Sequence, residues 1–164
     1  MGSRAIAAVL EKEFPSPPLY LDSPIPPKVE ALMSKLMLHL PPVCIPRVPR
    51  DILNERSISY FIRTREAKFG MPLNEFEKSE KGGEHAWEKA TPHIRELAEL
   101  LKEDGGPFFM GQNVSYADFI LVGFLQFLKR LSCNNDLFNR VVQIDQSFLV
   151  LYQACAEWLK RDDY

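Results

Sequence analysis

Apolar residues recur along most of this chain at steps of three and four, which is the spacing of one face of an α-helix. Segments with this pattern cover about residues 3–14, 29–40, 51–69, 84–103, 116–131 and 146–160. Proline and glycine, which interrupt helices, cluster between them at 15–18, 24–27, 41–49 and 104–107. No stretch reads as a β-strand. The pattern therefore predicts an all-α fold, with an irregular loop over 41–49 and a kink or restart at Pro92.

The segment 116–131 is apolar nearly all round, which is typical of a helix at the centre of a bundle with other helices covering every face. The residues before it carry a helix start signal. Ser115 as N-cap and Asp118 three residues later predict a capping box, and Val114 and Phe119 predict a hydrophobic staple. Since no histidine is close in sequence, we interpret Ser115 and Asp118 as structural rather than catalytic.

The amino-acid composition and net charge indicate which classes of protein this chain can belong to. The 46% apolar and 26% charged content is that of an ordinary soluble globular protein. With 20 basic and 22 acidic residues the formal charge is -2, too small for a field that draws the chain to nucleic acid or an anionic membrane. The longest apolar run, 119–128, is about half of a membrane span, and the N-terminus lacks the apolar stretch of a signal peptide. We expect a soluble, cytoplasmic protein with neither nucleic acid nor membrane as a partner.

The cysteines and histidines show no metal-ligand spacing. The 3 cysteines lie far apart without a CxxC pair, and the 3 histidines form no HExxH motif. We interpret the cysteines as buried, reduced thiols, with one disulfide as the alternative, and we expect no metal site. The residues concerned are Cys44, Cys133, Cys155, His39, His85 and His93.

Three stretches together resemble one known family. Residues 111–119 (GQNVSYADF), after 107–110 (PFFM), are similar to the capping-box and staple signature of the glutathione transferase C-terminal domain. Residues 3–11 (SRAIAAVLE) with Phe14 and Pro15 resemble the last helix of the family's thioredoxin-like domain and its linker. Residues 60–70 (YFIRTREAKFG) are similar to a segment of fungal transferases related to bacterial β-etherases. The resemblance implies a helical bundle of the glutathione transferase C-terminal type around a buried central helix.

The resemblance also implies a division of the chain. Residues 1–22 correspond to the end of a thioredoxin-like domain plus linker, and 23–164 to the helical domain. The family's catalytic Ser, Tyr or Cys belongs to the part that would precede Ser3, so no catalytic residue is assigned. Ser3 matches the residue that holds the γ-glutamyl group of glutathione, although Gly2 replaces the usual acidic residue or Gln. The alternative role for Ser3 is a helix cap.

In this family the helical domain forms the wall of the pocket for the hydrophobic co-substrate. By position, the resemblance points to two groups of pocket residues, one at the end of the second helix and one in the third. They are Met37, His39 and Leu40, and Tyr60, Phe61, Arg63 and Arg65. An arginine there suits an anionic ligand, which it can bind through two hydrogen bonds. The alternative is that the aromatic residues pack in the core and the arginines lie in solvent.

The implied function is that of a glutathione S-transferase in detoxification, with glutathione as co-substrate and a hydrophobic small molecule as its partner in the reaction. We expect the chain alone to be inactive, because the catalytic residue belongs to the thioredoxin-like half. Association with a second copy or a partner chain would cover apolar surface on the first helices. The alternative function is a non-catalytic module that binds a hydrophobic ligand or another protein.

Overall fold

The computed structural model describes residues 2–131 and 134–160, and within these ranges it contains helices but no strand. The α-helices are α1 (Ser3–Glu13), α2 (Ile25–His39), α3 (Pro41–Cys44), α4 (Val48–Asp51), α5 (Glu55–Phe69), α6 (Leu73–Lys78), α7 (Gly83–Lys102), α8 (Tyr116–Arg130), α9 (Asp136–Ile144) and α10 (Ser147–Ala154). The all-α prediction is confirmed. None of the described helices is long and apolar enough to span a membrane.

The core lies where α2, α9 and α10 pack against α8, and α7 packs in turn against α2, α9 and α10. Its largest fully buried side chains are Phe109, Phe148, Leu36, Leu40, Ile94, Leu97, Leu101, Leu121, Leu125, Leu128, Leu131 and Leu151. The expectation that every face of the central helix is covered is wrong on one side. Gly123 of α8 is exposed, and within the described chain no neighbouring atom lies within 4 Å of where its Cβ would be.

The segment between α2 and α5 differs from the predicted irregular loop. It consists of α3, a 3₁₀ turn (Ile45–Arg47) and α4, each with proline at its first or second position. Proline is tolerated there because the first N–H groups of a helix have no internal partner. The prolines therefore begin successive turns rather than preventing them. Helix α5 then starts later than predicted, behind Asn54, whose side chain accepts a hydrogen bond from the Ser57 N–H at 3.2 Å.

Besides α3 and α4, two more helices were not predicted, and one helix is shorter than predicted. Helix α6 is only 6 residues long, too short for a clear periodic signal. Helix α9 did carry a periodic signal. Its buried residues are two pairs at a spacing of four, Leu137 with Val141 and Phe138 with Val142. Helix α10 ends at Ala154, and the chain then continues in turns. Helix α7 continues past Pro92 as one element.

Helix α1 buries less than its pattern predicts. Of the expected face, Ile6, Leu10 and Phe14 are exposed and only Ala7 is buried, in a small cluster with Leu21 and Tyr116. Polar contacts hold α1 in place. The Arg4 guanidinium donates to Glu30 of α2 at 2.9 Å, and the Leu19 N–H donates to Glu11 at 2.7 Å. The helix is thus tied to the N-terminal part of α2 and to the chain that leads into it.

Candidate functional site

Asp118 is fully buried at the start of α8 and accepts several hydrogen bonds. One carboxylate oxygen accepts from the Phe109 N–H at 2.9 Å. The other accepts from the Ser115 N–H and from the Ser115 hydroxyl, both at 2.7 Å. Burial raises the pKa of Asp118, and these hydrogen bonds oppose that rise. The carboxylate therefore joins the helix start to the preceding turn, which is the capping-box arrangement.

The burial of Ser115 and Asp118 argues against a catalytic role for these two residues. Ser115 and Asp118 are both 0% exposed, so a substrate has no access to either side chain. Val114 and Phe119, the predicted staple, are half-buried. The Phe119 ring packs edge-on against Trp158, with centroids 5.5 Å apart. The contact between Val114 and Phe119 stays a prediction.

Ser3 begins α1 and contacts the first residue of α8. The Tyr116 hydroxyl donates to the Ser3 hydroxyl oxygen at 3.1 Å, and the Tyr116 N–H donates to the Leu19 carbonyl at 2.9 Å. In this arrangement the Ser3 hydroxyl keeps its own hydrogen for another acceptor. Gly2 is the N-cap without a side-chain bond, so the first N–H groups of α1 face an exposed space that suits an anion.

Tyr116 is a candidate functional residue that sequence reasoning missed. The sequence assigned it only to the start of α8. Its partner Ser3 lies 113 positions earlier. No local spacing rule relates residues so far apart, so only the packing of α1 on α8 reveals the pair.

Helix α1 also carries an apolar face that is uncovered. Ile6 is 48% exposed, Val9 55%, Leu10 49% and Phe14 71%. Ile6, Leu10 and Phe14 are four residues apart and Val9 lies three after Ile6, so all four share one side of the helix. A contiguous apolar surface of this kind usually marks an interaction site. It lies on the same helix as Ser3.

The first predicted group of pocket residues divides between surface and core. Met37 is 41% exposed, whereas Leu40 is fully buried. His39 stacks on His93 with centroids 6.0 Å apart and an angle of 8° between the rings. His39 also lines a cavity of about 220 Å³, together with Leu38, Lys81, Ala86 and Lys89.

The second predicted group lies on α5, a helix that buries none of its residues. Tyr60 is 65% exposed, and the Arg63 guanidinium lies 5.8 Å from its ring centroid. Phe61 packs partly against the core and has the Arg65 guanidinium 4.7 Å from its centroid. Among the described residues, these four line none of the cavities of about 790, 690, 340 and 220 Å³. A pocket formed by both groups stays a prediction.

Two larger cavities lie elsewhere on the bundle. One of about 790 Å³ is bordered by α7 and α9. There Arg47 donates to both Asp136 oxygens at 2.8 Å, and Arg140 binds Glu84 and covers the Trp87 ring at 4.7 Å. These charges are paired within the protein. The other cavity, about 690 Å³, is a groove between α2 and α7 with an apolar floor.

The described cysteines are buried and reduced. Cys44 and Cys155 are free thiols, whereas Cys133 lies outside the described residues. Burial raises the pKa of Cys44 to about 12, against a lowering effect of Arg47. Burial, assisted by the Asp118 carboxylate, raises the pKa of Cys155 to about 12. Within the described residues, no group of three or more His, Cys, Asp or Glu side chains is placed to hold a metal ion.

These thiols are expected to be unreactive in the folded protein. At pH 8 a thiol with a pKa near 12 is a thiolate in only about one molecule in ten thousand. We expect Ellman's reagent to label the Cys133→Ser variant at least about 100-fold more slowly in buffer than in denaturing urea. The rate in buffer should rise with pH, since the thiolate fraction increases about tenfold per pH unit below the pKa. Rapid labelling of either thiol at pH 8 would contradict this expectation.

Comparison with known proteins agrees with the helical architecture. Residues 29–158 match the family model for the glutathione S-transferase C-terminal domain. The chain is 30% identical over 170 aligned residues to the glutathione S-transferase-like protein ustS of Aspergillus flavus, covering 98% of this chain and 61% of that protein.

Two solved glutathione S-transferases of Ceriporiopsis subvermispora, both in complex with glutathione, have similar folds. The first is 28% identical with a TM-score of 0.74 and covers 98% of this chain and 66% of its own. The second, at 24% identity and a TM-score of 0.66 over 94% and 63% of the two chains, shows a likeness of fold alone. The chain thus spans only part of the length of each relative. Because the family match covers most of the chain, this protein belongs to the glutathione S-transferase family, whose C-terminal helical domain it carries.

Proposed function

We propose that this chain supplies the helical half of a glutathione transferase, which joins the glutathione sulfur to an electrophilic, hydrophobic co-substrate. The observation that supports this most is the uncovered apolar face of α1, on the same helix as Ser3. A thioredoxin-like half packed on that face would bring bound glutathione to the N-terminus of α1. That half would stabilise the thiolate by hydrogen bonding, and the thiolate would attack the electrophile, which releases its leaving group with the electron pair.

In this proposal Ser3 binds the γ-glutamyl carboxylate. Its hydroxyl accepts from Tyr116 and can donate its own hydrogen to a carboxylate oxygen. The free N–H groups at the start of α1 add further donors for the same anion. Glutathione is therefore the proposed co-substrate, and the cytoplasm, where glutathione is abundant, is the proposed location.

The pocket wall for the hydrophobic co-substrate remains assigned to the helical half. Met37 is the first candidate, because its side chain is 41% exposed at the end of α2. His39, the last residue of α2, borders a cavity of about 220 Å³. On α5, Tyr60 and Arg63 present an aromatic ring and a charge at the surface, while Phe61 is partly packed against the core. Leu40, fully buried, would support the wall from behind.

The chain alone is expected to bind glutathione weakly or not at all and to give no turnover above the uncatalysed rate. Calorimetry with glutathione, and separately with S-hexylglutathione, tests the first expectation. A conjugation assay with 1-chloro-2,4-dinitrobenzene tests the second. Joining a thioredoxin-like domain of the family before Gly2 should produce glutathione binding. Turnover by the chain alone, or no binding by the fusion protein, would contradict the proposal.

Within that fusion protein, Ser3→Ala tests the proposed anchor. Loss of a hydrogen bond to a charged carboxylate costs about 1.5 to 3 kcal/mol, so glutathione affinity should fall by roughly ten- to 100-fold. Ser34→Ala is the matched control, because the Ser34 hydroxyl is exposed and donates only to the Glu30 carbonyl of its own helix, at 2.8 Å. Equal affinities of the two variants would remove Ser3 from the site.

The groove between α2 and α7 favours a second candidate function, that of a non-catalytic binding module. Its rims are charged, with lysines on α2 and mainly glutamates, beside Arg95, on the α7 side, so a second copy could pair with it. The lining includes Lys28, Lys35, Ala31, Leu32, Pro92, Leu100, Glu96, Glu99 and Glu103. Binding of S-hexylglutathione without glutathione would favour a hydrophobic-ligand carrier. A dimer in sedimentation that dissociates in high salt would favour self-association.

A further inference from the structure

The cavity of about 790 Å³ is formed by elements that take no part in the proposed glutathione site. Its lining comes from α3, the 3₁₀ turn, α6, α7 and α9, and it includes no residue of α1 or α8. Ser3 and Tyr116, by contrast, belong to α1 and α8. A cavity of this volume is large enough for a small ligand. It is therefore a candidate for a second binding site.

The charges that line this cavity balance, and four of them form ion pairs. Arg47 donates to both carboxylate oxygens of Asp136 at 2.8 Å, and Arg140 donates to Glu84. A balanced lining favours a ligand that carries both signs over a simple anion or cation. The charged residues are Arg47, Arg95, Arg140, Glu77, Glu84 and Asp136.

The other two charges, Arg95 and Glu77, are unpaired. Within residues 2–131 and 134–160, neither side chain forms a hydrogen bond or an ion pair. Both residues are exposed, and each also borders a neighbouring cavity, which places them on the rim. These two side chains are thus available to a ligand without breaking a contact of the folded chain.

The two unpaired charges lie at opposite ends of the cavity. Trp87, Thr91 and Arg95 follow one another at steps of four, so the cavity runs along one face of α7. A Cβ at Gly82, just before α7, would lie 2.1 Å from the Glu77 carbonyl oxygen, so α6 ends beside the start of α7. Arg95 lies roughly 19 Å farther along the helix, at a rise of about 1.5 Å per residue. The cavity therefore has an acidic end and a basic end.

We propose that this cavity binds a short peptide with free ends, whose ammonium group lies at Glu77 and whose carboxylate lies at Arg95. A guanidinium suits a carboxylate because it can donate two parallel hydrogen bonds. An extended peptide of four residues spans about 13 Å, and the long Glu77 and Arg95 side chains can bridge the remaining distance. Between the ends, the exposed Gln143 amide can donate to and accept from the peptide backbone.

Calorimetry with three peptides tests the proposal on the chain as it stands. The probes are tetra-alanine with free ends, its N-acetylated form and its C-amidated form. Tetra-alanine is expected to bind with a Kd of about 1 mM or below. Loss of either terminal charge should weaken binding at least about fivefold, since hydrogen bonds between charged groups are the strong ones. In the Trp158→Phe variant, which retains Trp87 as its single tryptophan, the peptide should change the tryptophan emission.

Two variants assign the ends of the peptide. Arg95→Gln should weaken binding of tetra-alanine and of its N-acetylated form about fivefold, and should not affect the C-amidated form, which lacks the carboxylate. Glu77→Gln should weaken binding of tetra-alanine and of its C-amidated form, and should not affect the N-acetylated form. The matched controls are Arg56→Gln and Glu55→Gln on α5, because both residues are exposed and line none of the described cavities. Circular dichroism checks that all four variants are folded.

The selective losses would establish the peptide site. Equal binding of the three peptides, or equal losses in Arg95→Gln and Arg56→Gln, would show that the cavity does not recognise the peptide ends and would overturn the proposal. Binding of acetate or inorganic phosphate without binding of tetra-alanine would identify a simple anion site and would overturn it as well. The same holds if folded chain binds no tetra-alanine at about 10 mM.

Discussion

Replacing Asp118 with alanine is expected to lower the free energy of unfolding by about 3 kcal/mol or more. The carboxylate accepts hydrogen bonds from the Phe109 N–H, the Ser115 N–H and the Ser115 hydroxyl, all in the interior. Alanine would leave these donors buried without an acceptor, and each such group costs about 1 to 3 kcal/mol. Urea denaturation followed by circular dichroism measures the change.

Ser115→Ala is the informative comparison for that variant. It removes one donor together with its hydroxyl and leaves the two N–H groups bonded to Asp118, so a loss of only about 1 kcal/mol is expected. A larger loss of unfolding free energy in Asp118→Ala than in Ser115→Ala would identify the Asp118 carboxylate as the centre of this hydrogen-bond network. If Asp118→Ala lost no more than Ser115→Ala, the hydrogen bonds at 2.7 and 2.9 Å would not contribute as argued.

Leu125→Ala in the middle of α8 is expected to cost about 2 to 5 kcal/mol. Leu125 is 0% exposed in the main core cluster, so the substitution removes buried methyl groups and leaves a cavity. Urea denaturation again gives the free energy, and an unchanged slope against urea would show that the unfolded state is unaffected.

Leu38→Ala provides the control for this core substitution. Leu38 is 76% exposed on α2, so the same chemical change should alter stability by less than about 0.5 kcal/mol. Similar losses at both positions would mean that α8 is not the centre of the core. Both variants can be measured in the chain as it stands, without a thioredoxin-like domain.

Local features were predictable because their interactions join residues close in sequence. The capping-box pair Ser115 and Asp118 are three residues apart, and their bonding follows from the helix start itself. The buried side of α8 likewise follows from the apolar content of that segment. The prolines between α2 and α5 misled the prediction, since proline both ends helices and begins them. The structure places each one in the first two positions of a short turn.

The candidate site was predictable only in part. The resemblance pointed to Ser3, but its contact with Tyr116 joins residues 113 positions apart and depends on how α1 packs across α8. The resemblance also grouped Met37 with Tyr60 as pocket residues by position along the chain. They lie on different helices, as that prediction had them, but neither lines the cavities of about 790, 690, 340 and 220 Å³.

The order of residues alone was enough to establish that this protein is helical, which segment forms its centre and how that helix begins. These properties depend on periodicity and on capping within one turn, and both are determined by residues that are close in sequence. Only the tertiary structure shows that α1 exposes most of its apolar face and that no neighbouring atom of the described chain lies within 4 Å of a Cβ at Gly123 on the central helix. Helix packing selects which apolar side is covered, and a pattern along the chain does not encode that choice.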